Sequence, residues 1–413
     1  MLAQRVSTQS SALSPRHCEP MNAEIIAIGS ELLLGETIDT NSAYLARQLA
    51  GIGIGLFRKA VVGDNEERIA AVIGEALDRA DLLICTGGLG PTVDDMSREA
   101  VARALGRPLV FHQHLLDQIE ARFRSFGRTM SPSNRRQAYV PEGAQIVENP
   151  RGTAPCFIVE DARGTVAVLP GVPSEMRYLW ENALVPYLRD ERGQNGVILV
   201  RTLHAAGLSE SLIGEMLADL MAQDNPTLGI SAKRAQYELR IGAQADSRAD
   251  AEALADAAEA IIRERVGEHL IGGEMLEEAT PRLLHERGLS LALYEGNDRA
   301  PVYRALTASA VGRATLRGAI IHPLDRPADD EAAQSLARLG ALSARDRWRA
   351  DLALGVQPAS APGADGFTAV FVALAHRGGI IEASRRYDLR LDEGWEFAGT
   401  LALDVARRYL VDE

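Results

Sequence analysis

The stretch Leu82-Leu83-Ile84-Cys85-Thr86-Gly87-Gly88-Leu89-Gly90-Pro91-Thr92-Val93-Asp94-Asp95 decides the predicted fold of the first part of the chain. It opens with an unbroken apolar run, which is typical of a strand buried on both faces of a parallel sheet. The glycines that follow indicate a turn in which backbone N–H groups can approach an anion closely. The stretch therefore predicts a buried strand, a glycine turn and a ligand-binding loop.

Short apolar runs and amphipathic helices alternate on both sides of this stretch. Apolar residues from Ile69 to Leu77 recur at helical spacing, for example. The predicted strands are residues 25–28, 57–62, 82–85, 145–147, 156–159 and 166–169, with helices through Leu45 and Leu49, at residues 69–77 and at residues 174–188. This alternation predicts an α/β domain with a doubly wound, mostly parallel sheet over residues 21–190.

Three further segments are predicted from changes in composition and pattern. Residues 1–20 lack periodicity and are expected to be a disordered tail, either a transit peptide or sequence upstream of a natural start at Met21. After a polar linker at residues 189–196, strands and helices predict a small α+β domain over residues 196–273. Residues 276–413 predict a mixed α/β C-terminal domain.

Composition and charge exclude several classes of protein. Of the 413 residues, 46% are hydrophobic and 24% are charged, and the net charge is −13. Basic residues are scattered among acids, so no stripe that would neutralise nucleic-acid phosphates is predicted. No apolar run reaches the roughly 20 residues that a membrane-spanning helix needs. We expect a cytoplasmic protein with no nucleic-acid partner and no membrane partner.

The cysteines, Cys18, Cys85 and Cys156, show no paired spacing. This pattern argues against both a disulfide framework and a thiolate zinc site. Because Cys85 and Cys156 fall in predicted strands, we expect them to pack in the core.

Four loops are expected to form one site at the carboxyl edge of the sheet. In an open parallel sheet, ligands bind beyond the carboxyl ends of the strands, where helix N-termini present free N–H groups. The hairpin loop after residue 148 is expected to add a further wall. We predict contacts to a small-molecule nucleotide substrate from Gly29, Ser30, Asp39 and Asn41 in the first loop, Gly87, Gly88, Gly90, Pro91 and Thr92 in the second, Asn149, Gly152, Thr153 and Ala154 in the hairpin loop, and Pro170, Gly171, Pro173 and Glu175 in the last.

Asp94 and Asp95 end the glycine-rich loop at a predicted helix start. As negative charges at that position they can stabilise the helix dipole, which is a purely structural role. Alternatively, they hold a divalent cation (magnesium, manganese or cobalt) that bridges phosphate oxygens. We favour the second interpretation and assign both residues as catalytic metal ligands, with Glu31 as a candidate general base.

Together these motifs resemble those of the competence/damage-inducible protein CinA family. The resemblance rests on Gly29-Ser30-Glu31-Leu32-Leu33 with Asn41, on residues 87–95, on the loop at 149–155, and on Leu169-Pro170-Gly171-Val172-Pro173 with Glu175-Met176. It implies a molybdopterin-binding-like first domain with metal-dependent ADP-ribose pyrophosphatase activity, which yields AMP and ribose 5-phosphate. It also implies a KH-like domain over residues 196–273 and a homodimer, with potassium as a second ion to test. Cys156 stands where the family usually has glycine, which would narrow that wall of the site.

The C-terminal segment departs from the same family, whose members often end in a nicotinamide mononucleotide deamidase domain. The Ser-Cys-Thr-Gly-Gly nucleophile stretch expected after residues 280–292 reads Gly296-Asn297-Asp298-Arg299-Ala300 here. The expected lysine is also missing from residues 320–326, and Arg326 cannot replace it as a base because a guanidinium stays protonated. We predict a degenerate domain over residues 276–413 that keeps its fold and lacks deamidase activity.

Two alternatives to hydrolysis remain open at this point. The first domain can bind a pterin phosphate or a nucleotide without turning it over, since a fold does not fix a function. The chain can also be a regulatory scaffold in which the C-terminal domain recruits partners. Metal-dependent product formation separates hydrolysis from simple binding.

Overall fold

The computed structural model describes residues 21–322, 327 and 329–412. The predicted tail at residues 1–20 and the stretch at 323–326, which includes Arg326, lie outside these residues. Among the described residues, no helix is long and apolar enough to cross a membrane.

The chain divides into two compact units. The first reaches Leu199 and includes Gln244–Glu252, and the second is formed by Val200–Ala243 and the residues from Ala253 onward. The segments predicted as the α+β domain and the C-terminal domain therefore fall largely in the same unit.

The first unit contains the predicted sheet. Its strands are β1 (Asn22–Ile28), β2 (Gly55–Val62), β3 (Leu82–Thr86), β4 (Leu109–Phe111), β5 (Tyr139–Pro141), β6 (Gln145–Val147), β7 (Cys156–Glu160) and β8 (Thr165–Leu169). Its helices are α1 (Ser30–Leu33), α2 (Thr40–Ala50), α3 (Glu66–Leu77), α4 (Ser97–Ala104), α5 (Gln113–Ser125) and α6 (Pro173–Leu179). A 3₁₀ helix at Pro132–Ala138 and wide helical turns at Trp180–Leu184 and Tyr187–Glu191 complete it.

The main sheet of this unit has the strand order β2-β1-β3-β8-β7-β6 in the described chain. β2, β1, β3 and β8 are mutually parallel, whereas β7 and β6 run antiparallel at one edge. The predicted doubly wound, mostly parallel sheet is thereby confirmed. Its topology brings the carboxyl ends of four parallel strands, and the loops that follow them, to one edge.

Each face of this sheet is buried in its own apolar cluster. Side chains alternate along a strand, so Ile25 joins the cluster with α2 and α6 while Ile26 joins the cluster with α3 and α4. Cys85 and Cys156 are fully buried in opposite clusters, which confirms their predicted packing, and burial raises the pKa of both thiols to about 12. Because the Cys156 side chain lies in the core, it does not narrow the wall of the site as predicted.

The next segment forms a smaller sheet. Its elements are β9 (Val197–Ala205), α7 (Glu210–Met216), α8 (Ala218–Met221), β10 (Thr227–Lys233), β11 (Gln236–Ala245), α9 (Arg248–Val266) and β12 (Leu270–Gly272). The strand order is β10-β11-β9-β12, and β10 and β11 are antiparallel. This arrangement confirms the predicted α+β architecture.

The C-terminal segment builds a third sheet. Its elements are α10 (Leu276–Glu286), β13 (Leu291–Glu295), α11 (Pro301–Thr307), α12 (Ala310–Thr315), β14 (Leu316–Ile321), α13 (Asp330–Trp348), β15 (Leu352–Pro358), β16 (Thr368–His376), β17 (Gly379–Tyr387) and α14 (Asp392–Asp412). The strand order is β14-β13-β15-β16-β17, parallel from β14 to β15 and antiparallel beyond. The mixed α/β prediction is confirmed.

Two predicted boundaries differ in the structure. Helix α4 begins at Ser97, after Asp94 and Asp95, because the Asp95 side chain is used to close the loop before the helix. The helical turn at Tyr187–Glu191 extends into the predicted linker at residues 189–196. The burial of Tyr187 and Leu188 in the core holds that turn in place.

Candidate functional site

The loop between β3 and α4 has a backbone conformation that favours glycine. Gly87 has a φ angle of +106° and Gly88 one of +63°. A Cβ atom at Gly87 would lie 2.2 Å from the carbonyl oxygen of Ile28, and one at Gly88 would lie 2.3 Å from the Ser97 Oγ. The loop therefore packs directly on the end of β1, at a distance that no side chain permits.

Asp95 closes this loop from within. Its Oδ1 accepts a hydrogen bond from the Gly90 N–H at 2.8 Å, and its Oδ2 accepts one from the Thr92 N–H at 2.8 Å and another from the Thr92 hydroxyl. The carboxylate is thus bound to its own loop and acts as a structural brace. Of the two predicted metal ligands, only Asp94 keeps an exposed carboxylate.

A buried arginine lies beneath the same loop. Arg98 is 1% exposed, and its guanidinium donates to the carbonyls of Leu89 at 2.7 Å and Gly90 at 2.9 Å. Burial lowers the pKa of Arg98 to about 10. Gln137 also donates to the Leu89 carbonyl, at 3.2 Å. Sequence reasoning missed both residues.

Two adjacent backbone N–H groups in the glycine turn of this loop are free for a ligand. The Gly87 N–H donates to the Leu169 carbonyl at 3.1 Å. Those of Gly88 and Leu89 donate to none of the described residues. Two adjacent free N–H groups in a glycine turn form a small concavity that suits an anionic oxygen.

The loop after β1 is fastened to the end of β2. The Ser30 N–H donates to Asp64 Oδ2 at 2.8 Å, and the Asp64 N–H donates back to Ser30 Oγ at 3.1 Å. Glu31 is exposed on α1, and its carboxylate folds over Gly29, where a Cβ atom would lie 2.5 Å from Glu31 Oε1. Asp64 was missed from the sequence, although it follows a strand and a glycine as the predicted loops do.

Two other residues of the first loop that are predicted to contact the substrate form hydrogen bonds within the protein. Asp39 caps α2 by accepting a backbone hydrogen bond, and its Oδ2 lies 3.9 Å from Lys59 Nζ. Asp39 is not among the residues that line the cavity, and its contact with the substrate stays a prediction. Asn41 donates to Thr86 Oγ1 at 3.2 Å and to the Gly171 carbonyl at 2.8 Å, and so ties α2 to two of the other loops.

Asn149 and Glu175 join the hairpin loop to α6. The Asn149 side-chain amide donates to the Ala154 carbonyl at 3.0 Å and to Glu175 Oε2 at 2.6 Å. Its Oδ1 accepts from the N–H groups of Arg151 and Gly152, both at 3.0 Å. A Cβ atom at Gly152 would lie 1.9 Å from Glu175 Oε2, so glycine is needed for this close approach.

The loops surround a cavity of about 440 Å³ at the predicted edge of the sheet. The predicted residues that line it are Gly29, Glu31, Gly87, Gly88, Gly90, Pro91, Asp94, Asp95, Thr153, Ala154, Pro170, Gly171 and Glu175. The predicted residues outside the lining are Ser30, Asp39, Asn41, Thr92, Asn149, Gly152 and Pro173. The lining residues that the sequence did not suggest are Ile28, Asp64, Leu89, Gln137 and Val172.

Carboxylates lie around this cavity without forming a closed metal cage. Glu31, Asp64, Asp94 and Glu175 come from different loops, and the described residues contain no cluster of three or more potential metal ligands. Hydrogen bonding by the Thr92 side chain lowers the pKa of Asp94, which is therefore ionised at neutral pH. Isolated carboxylates suit an ion such as magnesium, which keeps several waters, better than zinc, which takes three or four protein ligands.

In the second unit, the loop that replaces the expected deamidase nucleophile is closed on itself. Residues 296–300 carry no hydroxyl or thiol side chain. Asn297 Oδ1 accepts from the Ala300 N–H at 2.8 Å, and a Cβ atom at Gly296 would lie 1.7 Å from Gln357 Oε1. Glu295 is fully buried just before this loop and accepts from the N–H groups at the start of α11.

We expect the contribution of Glu295 to the free energy of unfolding to fall as the pH rises. Burial raises the pKa of Glu295 to about 7 against the opposing hydrogen bonds from α11, so the folded state holds a proton that the unfolded state releases near pH 4.5. Between those two values the free energy of unfolding falls with pH. Between pH 5 and pH 8, the free energy of unfolding measured by urea denaturation should fall by about 2–3 kcal/mol more in wild type than in Glu295→Gln.

The matched control for Glu295 is Glu396→Gln, a change at an exposed glutamate on α14. It should keep the wild-type dependence on pH. Parallel pH profiles for wild type and Glu295→Gln would contradict the assignment of a buried, readily protonated carboxyl.

Comparison with known proteins finds two family models that match this chain and several similar relatives. Residues 24–190 match a family model described as "Probable molybdopterin binding domain", and residues 200–272 match the "Damage-inducible protein CinA KH domain". A CinA-like protein of Kosmotoga olearia is 42% identical over 278 residues, which cover 67% of each chain. A CinA-like protein of Parasynechococcus marenigrum is 38% identical over 356 residues, which cover 82% of this chain and 85% of that protein. The chain belongs to the CinA family.

One solved structure among the similar proteins is the protein CinA of Thermoplasma acidophilum. It is 36% identical, with a TM-score of 0.37, and the match covers 39% of this chain and 95% of that one. In the present CinA-family chain, the molybdopterin-binding match falls on the sheet whose edge carries the cavity, and the KH match falls on β9 to β12. The predicted family and its first two domains are thereby confirmed.

Proposed function

We propose that the first domain of this CinA-family chain hydrolyses the pyrophosphate bond of ADP-ribose or a related nucleotide, in a metal-dependent reaction that yields AMP and ribose 5-phosphate. The observation that carries the proposal is the pair of free N–H groups at Gly88 and Leu89, which line the same cavity as the ionised Asp94. Free N–H groups suit a phosphate oxygen. A carboxylate beside a phosphate repels it unless a cation lies between them.

The residues around the cavity fit a divalent ion that is shared with the substrate. Asp94 and Glu31 both line the cavity and both carry exposed carboxylates. Magnesium, manganese or cobalt, when bound, would neutralise phosphate charge and polarise the phosphorus. Gly88 and Leu89 would orient the pyrophosphate, and Glu31 would accept a proton from the attacking water. Asp95 would keep the loop in shape.

The C-terminal domain is proposed to lack deamidase activity. Its loop at residues 296–300 offers no nucleophile and packs against Gln357. The competing proposals are a domain that binds a nucleotide without hydrolysis and a regulatory scaffold. Both competing proposals predict that no AMP is released from ADP-ribose, whichever metal is present.

Asp94→Asn should reduce metal-dependent AMP release from ADP-ribose by at least about 100-fold, the scale on which one electrostatic group acts in a preorganised site. The asparagine keeps the shape of the side chain and removes the charge that a cation needs. AMP is quantified by chromatography with magnesium, manganese or cobalt, each with and without potassium. Asp117→Asn, a change at an exposed carboxylate on α5, is the control and should retain activity.

Several outcomes of these assays would decide against the proposal. Equal AMP release by Asp94→Asn and Asp117→Asn would show that Asp94 has no role in the hydrolysis. Binding of ADP-ribose without product under every metal would favour the binding module. Release of ammonia from nicotinamide mononucleotide in a parallel assay would overturn the account of the C-terminal domain.

A further inference from the structure

The second unit holds a cavity of about 810 Å³, larger than the 440 Å³ cavity of the first unit. It lies between α14 and β17, the edge strand of the C-terminal sheet. The side chains that matter here are Phe397 and Leu401 on α14, Ile381 and Tyr387 on β17, and Leu208 and Tyr237 from the KH-like segment. Small-molecule sites are mostly apolar clefts of about 300–1,000 Å³ with a few polar groups, and this cavity has that size and composition.

Two aromatic rings form a flat surface inside the cavity. The rings of Tyr387 and Phe397 stack with centroids 5.8 Å apart and planes 14° apart. Phe397 is nevertheless 38% exposed, as is Ile381 on the neighbouring strand. An exposed ring in a stack favours the face of another ring, because offset stacking adds to the burial of apolar area.

Polar groups beside this surface lack partners. The hydroxyls of Tyr387 and Tyr237 form no hydrogen bond with any described residue. Burial raises the pKa of Tyr387 to about 12, so its hydroxyl stays neutral and can both donate and accept. Hydroxyls at the side of an aromatic surface suit the ring nitrogens and carbonyls of a heteroaromatic ring.

The charges around the cavity balance one another. Asp404, 5% exposed, accepts hydrogen bonds from Arg407 at 3.0 Å and from Arg408 at 2.8 Å. At the rim, Arg385 and Asp412 carry opposite charges. Glu268 pairs with Arg408 at 2.9 Å, so the charges of the lining together with Arg407 sum to zero and do not select an anion or a cation.

We infer that this cavity binds a neutral, planar heteroaromatic molecule of about nucleoside size. Its ring would stack on Phe397, and polar atoms at the ring edge would bond to the hydroxyls of Tyr387 and Tyr237. The inference stands apart from the proposed hydrolysis, because every residue that carries it belongs to the second unit.

Isothermal titration of the full chain with adenosine, an uncharged nucleoside, tests the inference. Phe397→Ala should weaken adenosine binding about 3- to 10-fold through loss of the stacking surface. The matched control is Phe367→Ala, since Phe367 is a 45% exposed aromatic residue outside the cavity lining, and it should bind as wild type does. Tyr387→Phe should weaken binding about 2- to 10-fold by removing one hydroxyl.

Three results would overturn the inference. They are an absence of adenosine binding by wild type at millimolar concentration, equal affinity in Phe397→Ala and Phe367→Ala, and binding lost in Asp94→Asn but kept in Phe397→Ala. If Phe397→Ala lowers the melting temperature, Tyr387→Phe decides, because it removes a single atom that has no partner in the fold.

Discussion

Gly87→Ala should lower the free energy of unfolding by about 3 kcal/mol and reduce AMP release at least 100-fold. The added methyl group would meet the carbonyl oxygen of Ile28 at 2.2 Å, and that oxygen belongs to the backbone at the end of β1, which is paired on both sides in the sheet. The residue would also keep a φ angle of +106°, where side chains are strained. To relieve both, the loop must shift by about 1 Å, which displaces the free N–H groups of Gly88 and Leu89.

The control for this variant is another glycine of the same unit. Gly74 lies inside α3, and a Cβ atom there would meet nothing within 4 Å. Gly74→Ala should leave activity unchanged and stabilise the chain by about 0.5–1 kcal/mol, because alanine is the better helix former. Urea denaturation and AMP release of the two variants give the comparison. Wild-type stability and activity in Gly87→Ala would show that the loop is not held against β1.

The sheet of the first domain was predictable because buried strands have a simple pattern of apolar residues in the sequence. An unbroken apolar run such as residues 82–85 indicates a strand covered on both faces, and the structure buries all of β3. The glycine turns that follow β1, β3 and β8 then place the site at one edge. In contrast, β17 is an exposed edge strand with charged side chains, and no such pattern predicted it.

Within the site, the sequence predicted which loops line the cavity. It did not predict which of their residues face the cavity and which hold the loops in shape. Asp94 and Asp95 are chemically identical in the sequence, and only the fold shows that one braces the loop while the other stays exposed. Asp39 is predicted as a ligand contact, and the structure adds that its carboxylate caps α2. Side-chain hydrogen bonds of this kind depend on backbone geometry that spacing does not encode.

Arg98 could not be predicted from the sequence either, because no apolar or polar pattern indicates that an arginine is buried. Arg98→Met keeps most of the side-chain volume and removes the two charge-assisted hydrogen bonds to the carbonyls of Leu89 and Gly90. We expect AMP release to fall about 100-fold, since those carbonyls belong to the loop that presents the free N–H groups. Arg98→Lys should recover only part of the activity, because an ammonium cannot match the two-pronged guanidinium.

Arg98→Met should lower the free energy of unfolding by no more than about 3 kcal/mol, so the domain should stay folded. Burial lowers the pKa of Arg98 to about 10, which corresponds to roughly 3 kcal/mol of desolvation at 1.36 kcal/mol per unit. Each of the two hydrogen bonds from the guanidinium stabilises the folded state by about 1.5–3 kcal/mol. The net loss of unfolding free energy on replacement by methionine is therefore between about 0 and 3 kcal/mol, and the Leu89 carbonyl keeps its bond from Gln137. Arg103→Met, at an exposed arginine on α4, is the control for both measurements. Complete unfolding of the domain in Arg98→Met would show that Arg98 stabilises the fold more than it positions the phosphate loop, and would contradict the small net loss expected.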